Sequence, residues 1–97
     1  MTALSERSVE AQHPALRVCN IYTQEYVQTL FDRVDRAGAE QGDQRDALLG
    51  RLANAVVALD QGLQDYKHDA AIVARLDRTG KYIMWLVGRL EKLPRTN

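Results

Sequence analysis

Asp65, His68 and Asp69 stand at three- and four-residue spacing, so on one continuous helix their side chains share a face and could meet a common metal ion. A solvated helix end uses the same residue types, and no metal site is expected here. His13 is isolated in sequence and precedes Pro14, which makes it a helix-entry residue before it is a ligand. Cys19, the one cysteine, falls at a core position of its helix and reads as inert packing rather than as a nucleophile. Glu6, Glu10, Glu25 and Glu40 are scattered, without the apolar surroundings that tune a carboxyl for acid catalysis. The chain has no Gly-rich phosphate loop, no Cys-x-x-Cys pair and no Gly-x-Ser-x-Gly elbow. No catalytic residue and no cofactor is therefore expected, and function is sought in surfaces.

The elements that shape those surfaces are helical. Met1 to Gln12 is polar and aperiodic, and positions 1–13 read as a mobile arm ahead of the domain. Pro14 suits a first helical turn, and Leu16, Cys19, Thr23, Tyr26, Val27, Leu30, Val34 and Ala37 recur on one face. The spacing predicts one helix from Pro14 to about Ala37, ended by Gly38 and Gly42. Asp43 is the expected N-cap of a second helix, with the stripe Leu48, Leu49, Leu52, Ala55, Val56, Leu59, Leu63 and Tyr66 packed on one side only. Asp69 caps a third, from Ala70 to about Leu93, carrying Ile72, Val73, Leu76, Gly80, Ile83, Val87 and Leu90 inward and stopped by Pro94. Gly50, Gly62, Gly80 and Gly88 each cost roughly 1 kcal/mol relative to Ala inside a helix, a loss that close helix approach can offset. The expected fold is all-α: an up-down-up antiparallel bundle over 14–93, completed to four helices by a partner or a dimer mate, with 94–97 as a tail.

Length and composition agree. The chain has 97 residues, enough for one core, and its 45% hydrophobic and 27% charged content is that of a globular protein. Basic and acidic residues number 13 each, so no global field favours nucleic acid or an acidic membrane. The longest apolar run, Tyr82 to Val87, has six residues, far short of the roughly 20 a membrane span needs. The lone cysteine and the lack of an apolar leader point to the cytoplasm.

A wheel centred on Leu76 places Trp85 roughly opposite the core. Arg75, Arg78, Tyr82, Arg89 and Lys92 flank it, with Leu86 and Leu93 at the margin. A wheel centred on Leu30 leaves Val18 and Ile21 outside the core and Tyr22 at its edge. Together these predict an apolar groove between the first and third helices, where Val18, Ile21, Tyr22, Tyr82, Trp85 and Leu86 anchor a partner helix and Arg78 and Arg89 edge it. Coverage of Trp85 and Tyr82 by the N-terminal arm is the competing expectation. A second functional reading uses Arg75, Arg78, Lys81 and Arg89 for nucleic acid, because Arg75 to Arg95 holds six basic residues against Asp77 and Glu91.

The run His13-Pro14-Ala15-Leu16-Arg17-Val18-Cys19-Asn20-Ile21-Tyr22 resembles the start of the flagellin-specific export chaperones of the FliS family, in which a Pro-opened helix leads to an apolar-Tyr pair. Ala39-Glu40-Gln41-Gly42-Asp43 is similar to that family's Gly-Asp link, Ala55 through Leu63 to its second helix, and Trp85-Leu86-Val87-Gly88-Arg89-Leu90 to its third. The chain stops where family members continue into further helix. The resemblance implies a cytoplasmic chaperone that occupies the self-association surface of a secreted helical subunit, flagellin-like or another export component. It also leaves room for a homodimer.

Overall fold

The computed structural model describes residues 13–94, and the expected arm over 1–12 and tail over 95–97 lie outside them. The described residues form four helices and no strand: α1 (Pro14–Ile21), α2 (Gln24–Asp35), α3 (Gln41–Asp65) and α4 (Ala70–Lys92), with a 3₁₀ turn at Gly38–Glu40. The all-α expectation holds, but the first predicted rod is two helices.

The interruption has a local cause. Asn20, Ile21, Tyr22 and Thr23 are middling or poor helix formers, and Thr23 is a strong N-cap. Thr23 takes an extended backbone (φ −76°, ψ 165°), and its hydroxyl accepts from the Tyr26 amide at 3.2 Å, restarting the chain as α2. Thr23 is thus an exposed cap and not the core residue its spacing suggests. At the other end of α2, Gly38 adopts φ +62°, a conformation that a side chain would strain. Gly42 lies inside α3 rather than before it, and Asp43 sits in the first turn of α3, which begins at Gln41 without a side-chain cap.

The remaining ends follow the sequence. Pro14 opens α1 behind His13, whose Nδ1 accepts from the Ala15 amide at 3.1 Å. Asp69 caps α4, accepting from the Ile72 amide at 3.2 Å. Leu93 leaves the helix in an extended conformation ahead of Pro94, where the ring disfavours a helical predecessor.

Packing pairs the helices in definite directions. A β-carbon on Gly62 would overlap that of Ala15, while Leu30 and Val34 lie with Gln44 and Leu48, so the first rod runs antiparallel to α3. Leu59 approaches Gly80 and Gly62 approaches Leu76, making α3 and α4 antiparallel. Leu16, Val27, Leu52, Leu76, Ile83, Leu86 and Leu90 are the largest fully buried side chains. Each contributes about 1.5–3 kcal/mol relative to exposure. Phe31, Thr79 and Leu86, which the periodic stripes left out, are also buried. Ile72, Val73, Gly80 and Val87, expected inside, are only partly covered.

Candidate docking surface

Trp85 stands on the outer side of α4 and is 42% exposed. It is not adrift in solvent. Its ring meets Phe31 of α2 edge-on at a centroid distance of 6.1 Å. The Arg89 guanidinium, one turn on, lies over both rings, 5.1 Å from the Phe31 centroid and 5.9 Å from that of Trp85. Such a stack fixes the indole's orientation at little entropic cost to a ligand, because two rings and a planar cation hold one another. Phe31 was absent from the predicted stripe, yet it stands four residues after Val27 and one after Leu30, and that spacing was the available signal.

Beside the indole lies a depression of about 300 Å³ between α2 and α4, lined by Gln24, Val27, Gln28, Lys81, Tyr82 and Trp85. A second depression of about 230 Å³ continues it toward the N-terminal half of α4, and Gln24 and Tyr82 line both. The second one also draws on Cys19, Tyr22, Thr23, Arg75, Arg78 and Thr79. The result is a trough of mixed polarity along the α2–α4 seam, in which Val27, Tyr82 and Trp85 alternate with glutamine and threonine side chains and cations of α4. Arg75 donates to the Asn20 side-chain carbonyl, tying α4 to the end of α1.

Of the expected docking residues, Tyr82, Trp85, Arg78 and Arg89 share this strip on α4. Val18 and Leu86 do not offer a contact surface, with 9% and 0% exposure, and Tyr22, 6% exposed, only edges the second depression. For Val18 and Tyr22 the reason is the break at Thr23, which shifts the phase of α1 relative to α2, so a wheel centred on Leu30 cannot be extended back to them. For Leu86 the reason is that α4 packs on both α3 and the first rod, which widens its buried arc from Leu76 round to Leu86. Ile21 is 50% exposed but does not line the trough.

Residues considered for chemistry are engaged elsewhere. His13 Nε2 donates to Asp65 at 2.9 Å while its Nδ1 caps α1, a pair of roles that selects the neutral Nε2–H tautomer. The His13 hydrogen bond, and then that of Gln61, hold the Asp65 carboxyl below its ordinary value. Asp69 is spent as a helix cap. Cys19 is buried, with its thiol toward the Arg75 carbonyl at 3.9 Å. Arg51 of α3 reaches the Tyr22–Tyr26 pair; hydrogen bonding to Tyr26, with Tyr22 beside it, raises its already high pKa further. Among the described residues no buried side-chain polar atom lacks a partner, and no helix is long and apolar enough to cross a membrane.

Comparison with known protein families, characterised proteins and solved structures returns no match.

Proposed function

We propose that this chain is a non-enzymatic binding protein, an adaptor or chaperone of the export-chaperone type, that holds one amphipathic helix of a partner in the α2–α4 trough. The observation that carries this is the fixed, part-exposed Trp85, braced by Phe31 and Arg89 beside the depression that Val27 and Tyr82 floor. Interface hot spots are enriched in Trp, Tyr and Arg for the same physical reasons: large area, few rotors and a desolvated cation. With Arg78 on its rim and the Arg89 guanidinium held over the indole, the trough carries positive charge that complements a helix whose flanks are acidic.

The nucleic-acid reading has less support. Lys81 is 3.4 Å from Asp77, Arg75 bonds Asn20, and Arg89 is spread over two rings, so three of the four proposed phosphate contacts already serve other partners.

A photo-crosslinking residue at Gln28, on the trough wall, tests the proposal in cells. The expected product is a discrete adduct whose mapped peptide is an acidic amphipathic helix, lost on Trp85→Ala while circular dichroism at the assay temperature still reports a folded helical chain. An adduct unchanged by Trp85→Ala, or one with RNA or DNA, overturns it.

A further inference from the structure

The other flank of α4 carries a second groove, of about 290 Å³, between α3 and α4 and away from the first rod. Val56, Leu63, Gly80 and Met84 give it an apolar floor. Met84, 57% exposed, overhangs it. Sequence register extends the same face along both helices. On α3, Leu49, Val56 and Leu63 recur every seven residues, as do Val73, Gly80 and Val87 on α4. All are partly covered and none is fully buried, so they form a part-exposed apolar seam at the spacing that helix packing uses. The sequence pattern had placed these residues in the core, because a second seam one residue out of phase with the first looks on a wheel like one broad stripe.

Lys81 borders both depressions; apart from it, the charged residues lining this groove are acidic, whereas those lining the trough are basic. Asp60 and Asp77 line the groove, and Glu91 follows Asp77 and Met84 at the same seven-residue step. Lys81, the cation among the lining residues, is already matched with Asp77 at 3.4 Å, which leaves the Asp60 carboxylate exposed on the opposite wall. A second copy laid face to face by two-fold symmetry would bring together two faces with the same acidic surplus, two aspartates to one lysine on each. A helix with lysines or arginines flanking an apolar stripe would bury Met84 and Val56 and neutralise Asp60.

We infer that the α3–α4 groove is a second docking site, and that its occupant is a basic amphipathic helix. The inference is independent of the occupant of the first trough. With both sites filled, α4 is the shared wall between an acidic helix on one side and a basic helix on the other.

The test uses the whole protein with its methionine methyl groups carbon-13 labelled and the Met84 signal assigned by Met84→Leu. The titrants are two synthetic helical peptides with leucines at i, i+3, i+4 and i+7, one filled elsewhere with lysine and the other with glutamate. The lysine peptide should shift the Met84 methyl resonance and leave Trp85 fluorescence unchanged, and the glutamate peptide should leave Met84 unmoved. Asp60→Lys, at an exposed site that leaves the fold intact by circular dichroism, should weaken the lysine peptide roughly five-fold. The inference fails if Met84 does not respond, if both peptides shift it alike, or if Trp85 responds in its place. It also fails if Met84 moves with protein concentration alone, which would put a second copy on this face.

Discussion

A β-carbon at position 62 has nowhere to go: it would overlap Ala15 and come within 3.1 Å of Leu76. Gly62 is therefore the point where α1, α3 and α4 converge, and Gly62→Ala should destabilise the protein by about 1–3 kcal/mol in a denaturant titration, against the usual gain from Gly to Ala in a helix. His13 secures the same corner through its cap on Ala15, its bond to Asp65 and its ring contact with Tyr66 at 5.0 Å. His13→Ala should cost about 1 kcal/mol from the lost cap alone. Because Asp65 is held below its ordinary value when folded, its contribution is present above the unfolded carboxyl range and lost as pH falls through the lower folded value. His13→Ala should flatten that acid limb, measured as stability against pH below the carboxyl midpoint. None of this corner was legible beyond the Pro14 entry and the residue type at 13, since contacts 52 positions apart leave no local periodicity.

At the scale of elements, the phase break at Thr23 matters most. It lets α1 pack mainly on α3 while α2 lies along α4, which an unbroken helix could not do without a bend. Thr23→Ala should lower stability by about 1 kcal/mol and fray the start of α2 in hydrogen exchange, leaving α4 protected. Gly50 and Gly88 contrast with Gly62, because a β-carbon at either meets no atom within 4 Å. Gly50→Ala and Gly88→Ala should each raise stability by up to about 1 kcal/mol, read from the denaturation midpoint. The general expectation that close approach explains the helical glycines thus holds at Gly62, more loosely at Gly80, and at neither of these two.

Across the whole molecule, burial separates two classes of apolar residue that look alike in sequence. Ile83 is 0% exposed and Val57 is 68% exposed. Ile83→Ala should cost about 2–5 kcal/mol, a large part of the total stability of a small domain, whereas Val57→Lys should change stability by less than about 0.5 kcal/mol. A neutral total also hides a division of charge. The 13 basic and 13 acidic residues cancel over the chain, yet, with Lys81 bordering both, arginines line one flank of α4 and aspartates the other. The local sequence pattern by itself determined that the chain is helical, that its hydrophobic stripes must pack together, and where Asp69 and Pro94 bound the last helix, because caps, breakers and 3.6-residue periodicity act through near neighbours. It also placed Trp85 outside, since one wheel within one unbroken helix keeps its phase. Tertiary structure alone decided that Phe31 braces that indole, that Val18, Tyr22 and Leu86 are hidden, and that a second apolar seam lies open between α3 and α4. Those outcomes depend on how many neighbours each helix has and on the angle at which the chain re-enters after Thr23, and a pattern of apolar residues records neither.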